Sequence, residues 1–236
     1  MFFGVPGSGQ GALNPAPTTV PRGISPADAR AYGSTVARLK DDLVHRAGRA
    51  LAHTAAVRYP AVSWLNYVGA GGLTGELDTS ERIGASRLVS QIRHSYANDC
   101  PLRPVLLAGY SQGAEVVIRA VDRLSPLEQR SVTVALLGNP SYQPRRRGDF
   151  PGRSAAEGLR PTLGAGPPLL LPRPVLARTI DICAPGDPIC NVPPSGGNLI
   201  GQMGAVLDHL DVHARAYQDG RYPRAAARFL WRHRVR

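Results

Sequence analysis

The chain has 236 residues, 43% of them hydrophobic, which suits a single α/β domain with a sizeable core, and no second domain is expected. Its formal charge of +11 comes from arginines scattered through the chain, with Lys40 the one lysine; Arg145-Arg146-Arg147 and the tail from Arg232 to Arg236 are the only clusters. Nucleic-acid surfaces gather basic residues with aromatics on one face, so that partner class is set aside. No run is long and apolar enough for a transmembrane helix, and Met1 to Val5 lacks the basic flank and length of a signal peptide.

Residues 1–5 read as the end of an apolar strand, followed by Pro6-Gly7-Ser8-Gly9-Gln10-Gly11, which is either an anion-facing loop or an ordinary turn. A Pro-containing linker ends at Ser25-Pro26, the N-cap and first residue of a helix. Tyr32, Val36, Leu39, Leu43, Ala47 and Leu51 recur at helical spacing and extend that helix to about Val57. Val62 to Val68 reads as a strand closed by Gly69-Ala-Gly-Gly72, with no Gly-Lys-Ser/Thr ending to suggest a nucleotide site. A helix from Thr79 or Ser80 carries Ile83, Leu88, Ile92 and Tyr96.

Pro104-Val-Leu-Leu-Ala-Gly-Tyr-Ser-Gln-Gly113 is the most informative stretch. An apolar run turns sharply and continues as a helix with Ala114, Val117, Ile118 and Val121 on one face. Strand, tight turn and buried helix around Gly-X-Ser-X-Gly form the context of a nucleophile elbow, which makes Ser111 a candidate nucleophile. The alternative is that Ser111 only caps the helix 112–123. Ser125-Pro126 closes that helix and Val132 to Leu137 is the next buried strand. Residues 141–174, rich in proline, glycine and arginine, read as a surface excursion in which Leu169, Leu170 and Leu171 either cover a cleft or anchor the loop.

Arg178 to Cys183 resumes as a strand and runs into Ala-Pro-Gly-Asp187-Pro-Ile-Cys190. Asp187 thus follows a strand's carboxyl end, where open α/β sheets build their sites. His209 and His213 come next, then a terminal helix from Arg224 to Trp231. Strands alternating with helices predict a three-layer α/β/α sandwich around a mostly parallel sheet.

A serine hydroxyl needs a base, and the base needs a carboxylate to fix its tautomer. Ser111, Asp187 and His213 occur in the order Ser, Asp, His, although Asp181, Asp208, Asp211 and His209 compete. Cys183 and Cys190 are either bridged, which would hold the Asp187 loop and contribute roughly 2.5 kcal/mol, or free thiols. Two cysteines without a second pair argue against zinc.

Gly109-Tyr-Ser-Gln-Gly-Ala114, Cys183-Ala-Pro-Gly-Asp-Pro-Ile-Cys190 and His213 followed by Tyr217 and Gly220 resemble the cutinase family of secreted serine esterases, especially its actinobacterial members. The resemblance implies Ser111 as nucleophile, Asp187 as orienting acid, His213 as base, and a Cys183–Cys190 disulfide. It places the oxyanion hole at Gln112 and Ser8, and Tyr217 lies one position away from the family's pattern. It also implies a monomer acting on apolar esters (short-chain acyl esters, cutin-like polyesters or lipids), without metal or organic cofactor. A mycolyl ester hydrolase or acyltransferase of the cell envelope is the alternative within this chemistry; a non-catalytic envelope-binding protein is the alternative outside it. Family members carry a signal peptide and a cysteine pairing with the position of Cys100, so a longer, exported product with a start upstream of Met1 is expected.

Overall fold

The computed structural model describes residues 1–15, 20–51, 53–63, 75–98, 103–144, 157–162, 166–192, 204 and 206–235. Five strands form one sheet: β1 (Phe2–Val5), β2 (Thr54–Ala56), β3 (Val105–Tyr110), β4 (Val132–Leu137) and β5 (Thr179–Ile182), in the order β2-β1-β3-β4-β5. Every pairing is parallel, with Val5 opposite Gly109 and Tyr110 opposite Leu137.

Because crossover helices cover both faces of a parallel sheet, its strands bury alternate residues on opposite sides. Phe3, Val5, Leu107, Val134 and Leu136 pack with Leu88, Ile92, Val117 and Val121 from α2 (Gly75–Asn98) and α3 (Gln112–Asp122). Phe2, Leu106, Ala108, Ala135 and Leu137 pack against α1 (Pro26–Ala47) and the terminal helix, through Val36, Leu43, Ala227 and Leu230. The three-layer architecture read from the sequence is therefore present.

The direction of the crossovers reverses between β1 and β3, since β2 lies on one side of β1 and β3 to β5 on the other. Loops leaving two adjacent strands in opposite directions open a crevice at the sheet's carboxyl edge. The two loops here are Pro6 to Gln10 and the turn at Ser111.

Several boundaries differ from the sequence reading. Ser25 caps α1 as expected, its Oγ accepting from Asp28 N at 3.0 Å. The helix stops at Ala47, ten residues before Val57, because Gly48 takes φ 51°. A short 3₁₀ turn (Gly48–Ala50) follows, and Thr54–Ala56 is edge strand β2 rather than helix. The strand expected over 62–68 is absent at Val62 and Ser63, and Trp64 to Val68 lie outside the described residues, as do the glycine cluster, Arg145 to Arg147 and Cys100. Helix α2 begins at Gly75, and Ser125-Pro126 opens α4 (Pro126–Arg130) through a capping box with Glu128 instead of closing α3. The 141–174 excursion contains α5 (Leu159–Thr162) and the start of α6 (Arg173–Leu176). Leu171 is buried in the core and Leu169 packs on it, so these two anchor the loop; Leu170 is exposed. The chain ends in α7 (Leu210–Ala216) and α8 (Arg221–His233).

The crossing of α3 over β1 leaves no room for a side chain. A Cβ on Gly113 would stand 2.4 Å from the carbonyl oxygens of Val5 and Pro6, neither of which can rotate aside. Gly113→Ala is therefore expected to lower the unfolding free energy in urea by about 2 kcal/mol or more. Gly75→Ala, where none of the described residues lies within 4 Å, should change it by less than about 1 kcal/mol.

Candidate active site

Ser111 sits between β3 and α3 with φ 54° and ψ −125°, the one described non-glycine residue at positive φ. Such a conformation costs about 1–3 kcal/mol and persists only where its surroundings enforce it. Here they do: Ser111 N donates to Leu137 O at 2.9 Å, and a Cβ on Gly109 would lie 2.3 Å from Gly113 O. Ser111 occupies the N-cap position of α3, its carbonyl accepting from Ala114 N at 2.8 Å, but its side chain makes no capping hydrogen bond; the residue lines a cavity of about 300 Å³ at the crevice.

The Asp187 loop is closed by the Cys183–Cys190 disulfide and Asp187 is fully buried. Its Oδ1 accepts from Ile189 N at 2.9 Å, and its Oδ2 accepts from the Tyr217 hydroxyl at 2.6 Å. His213 Nδ1 lies 2.9 Å from both carboxyl oxygens. A carboxylate only accepts, so the imidazole proton belongs on Nδ1 and the lone pair on Nε2. Nε2 is buried and has no hydrogen-bond partner among the described residues, while His213 lines the same cavity as Ser111. His209, by contrast, is exposed at the start of α7 and does not line the cavity. Asp181 likewise lies elsewhere, accepting from Asn139 Nδ2 at 2.8 Å.

Three further residues hold this arrangement, and the sequence reading assigned none of them a part in it. Tyr110 stacks on the imidazole with ring centroids 4.9 Å apart and donates its hydroxyl to His213 O at 2.9 Å. Tyr217, beyond α7, accepts from Ala184 N at 3.0 Å while donating to Asp187. Burial, with Asp187 adding, pushes both phenols well above their usual range, so both remain donors. Gly138 has φ 56°, and a Cβ there would come within 2.6 Å of His213 Cε1. A glycine directly after a buried strand was the available signal for it.

Ser8 and Gln112 face each other across the crevice, with Ser8 Oγ 3.4 Å from Gln112 Oε1, and both line the cavity. Gln112 is fixed by its amide donating to Ser80 Oγ at 3.2 Å, and Ser80 in turn donates to Pro60 O. Its backbone N–H belongs to the first turn of α3, where amides lack intrahelical acceptors. The apolar walls are Leu77, Leu159, Ile189 and Leu210.

One part of the lining has no counterpart in the sequence reading. Glu81 from α2, Glu115 from α3 and Arg160 from α5 meet in the wall, each at least nine-tenths buried. Arg160 Nη1 donates to Glu115 Oε2 at 2.8 Å, and Arg119 Nε donates to Glu81 Oε2 at 2.9 Å. Ser141 Oγ donates to Glu115 Oε1. Burial, reinforced by Glu115, pushes the Glu81 carboxyl well above the usual range. Glutamates on helices default to the solvated face, and Arg160 lies in a segment without periodicity, so only the acidic break in the apolar Ala114 to Ile118 run hinted at this cluster.

A parallel sheet with a crossover reversal and a strand–turn–helix elbow at its carboxyl edge is the fold of the α/β hydrolases. The Cutinase family profile matches residues 25–203, more than half of the chain. This protein belongs to the cutinase family of carboxylic ester hydrolases. Carboxylesterase Culp1 of Mycobacterium tuberculosis is 28% identical over 186 residues, 78% of this chain and 72% of that protein. Probable carboxylesterase Culp3 of the same species is 30% identical over 145 residues, 57% of this chain and 47% of the relative. Among solved structures, a cutinase-like protein from Cryptococcus sp. superposes with TM-score 0.55 at 19% identity, covering 92% of this chain and 90% of its own. Lysin B from Mycobacteriophage D29 gives 0.53 at 16% identity over 98% of each chain, a likeness of fold.

The buried acid depends on Tyr217 for one of its donors. Tyr217→Phe keeps the ring and removes that donor, so the unfolding free energy in urea is expected to fall by about 1–3 kcal/mol.

Proposed function

We propose that this protein is an exported serine esterase that cleaves apolar carboxylic esters through an acyl-enzyme. The observation that carries the reading is the pairing of His213 Nδ1 with both oxygens of Asp187, at the cavity that His213 and Ser111 both line, with Nε2 bonded to none of the described residues. Ser111 Oγ attacks the ester carbonyl while Nε2 takes its proton, and the carbonyl oxygen becomes an oxyanion. The N–H groups of Gln112 and Ser8 stabilise that charge; one such donor is worth about 10²–10³ in rate. Collapse of the tetrahedral intermediate breaks the ester C–O bond, and the imidazolium protonates the departing alcohol. Water then attacks the acyl-enzyme, giving its proton to His213; the imidazolium returns that proton to Ser111 Oγ as the acyl–serine bond breaks and the acid leaves.

The cavity of about 300 Å³ lies at the lower end of ligand-site sizes, and its leucine and isoleucine walls favour acyl chains of modest length. The Cys183–Cys190 bridge suits an oxidising compartment, which supports export. Among the described residues no helix is long and apolar enough to cross a membrane.

Hydrolysis of p-nitrophenyl esters of graded chain length by wild type and Ser111→Ala tests the reading. A loss near 10⁶ in kcat is expected, and equal rates would contradict it. In the same assay His213→Ala should fall by several orders of magnitude, whereas His209→Ala should match the wild type.

A further inference from the structure

Arginines on α2, α3 and α7 pair with carboxylates of the chain: Arg82 and Arg119 with Asp78, Arg93 with Glu128, and Arg215 with Asp211. Helix α8 departs from this. From Gly220 to Arg236 the sequence holds six arginines and no acidic residue. Arg221, Arg224, Arg228 and Arg232 are exposed, and by the helical repeat they fall within about 80° of one another around the axis. Their steps of three and four residues space them about 4.5 to 6 Å apart, in a row roughly 16 Å long. Among the described residues none of the four forms an ion pair.

The stability of the helix gives no reason for this row. Like charges repel at these spacings, and Arg221 and Arg224 stand in the first turn, at the positive end of the helix dipole, where α8 has no acidic residue. Two acids border the row. Asp219 accepts from Arg221 N at 2.8 Å, and Asp42 of α1 is near Arg224 but is shared with Arg38 and Arg46. Arg221 lies over the Tyr222 ring, 5.4 Å from its centroid, and Arg224 Nε donates to Gly220 O at 3.2 Å, so these two are held in place. Arg228 and Arg232 are exposed and have no hydrogen-bond partner among the described residues.

The four side chains border a groove of about 600 Å³ whose other walls are Ile180 of edge strand β5, Ala225, Phe229 and His233. Among the described residues no carboxylate lines it, and it shares no residue with the Ser111 cavity. Its charge is complementary to a polyanion, and its surroundings select the kind. A helix that lies on a bilayer inserts its apolar face, but Tyr222, Ala226, Ala227 and Leu230 of α8 are buried in the core. Single-stranded nucleic acid stacks its bases on aromatic faces, and Phe229 is already stacked on His233 with centroids 4.3 Å apart. A chain of acidic sugars needs neither. The arginine spacing is about the length of one sugar ring, guanidinium forks match carboxylate or sulfate groups, and sugar C–H faces can rest on Ile180 and Ala225.

We propose that this face of α8 is a docking site for a linear anionic polysaccharide. The polymer lies along the row, its acid groups accepting from the four guanidinium groups, and it tethers the protein while leaving the Ser111 cavity open. The proposal does not depend on the esterase reading.

The test is the affinity for heparin oligosaccharides, from disaccharide to octasaccharide, measured by titration calorimetry at low and at physiological salt. Wild-type affinity should rise with length until the row is covered and then level off. Arg228→Gln/Arg232→Gln should weaken octasaccharide binding by about 10-fold and flatten its salt dependence. Arg221→Gln/Arg232→Gln should do the same and stands in if the first pair fails to fold, which the urea midpoint reports. Arg58→Gln/Arg87→Gln removes the same charge on the α2 side of the sheet, where the Arg87 side chain bonds to Arg58 O, and should stay within about 2-fold of wild type. Equal weakening in the α8 and α2 variants, no binding by wild type, or tighter binding of phosphatidylglycerol vesicles or duplex DNA than of the octasaccharide would overturn the proposal.

Discussion

A buried carboxyl group is tolerated only when donors surround it, and that constraint organises the carboxyl-terminal third of this protein. The donors to Asp187 come from three places: its own disulfide-closed loop through Ile189 N, α7 through His213, and the residue just past α7 through Tyr217. Satisfying the acid therefore positions the helix that bears the imidazole. Tyr110, the residue before the elbow serine, then stacks on that imidazole and bonds to its backbone, tying the third back to the sheet. Gly138 supplies the space at the end of β4 that lets ring and carboxyl approach each other.

The amino-terminal half solves a different problem, which is to bring the Pro6 to Gln10 loop close to Ser111. The crossover reversal between β1 and β3 places the Pro6 to Gln10 loop beside the elbow, and Gly113 lets α3 rest directly on the Val5 and Pro6 carbonyls. A side chain at that crossing would push the two loops apart. The backbone strain at Ser111 belongs to the same design, since it is maintained by the Leu137 hydrogen bond and by contacts that Gly109 and Gly113 alone permit.

What could be read from the sequence followed from how strongly burial patterns the residues. β3, β4 and α3 were legible because they lie between two packed layers, which writes continuous apolar runs and a 3.6-residue period into them. The edge strand Thr54–Ala56 was not: three small residues with one face to solvent carry no such pattern and continued the preceding helical phase. The same principle separates the parts of the site. Ser111, Asp187 and the Cys183–Cys190 loop stand in short motifs fixed by backbone geometry and covalent closure. The Glu81, Glu115 and Arg160 wall is assembled from three distant elements, and charged residues on helices ordinarily signify solvent. Tyr217 was visible but its role was not, because a hydrogen bond across 30 residues leaves no local periodicity.

The account rests on His213 activating Ser111, and covalent labelling reads that activation without reference to any natural substrate. Purified protein would be treated with an alkyl p-nitrophenyl phosphonate and followed by intact mass and peptide mapping. One adduct per chain on Ser111 is expected, formed about 10³-fold more slowly in His213→Ala. Labelling at another residue, or an undiminished rate in His213→Ala, would contradict the account.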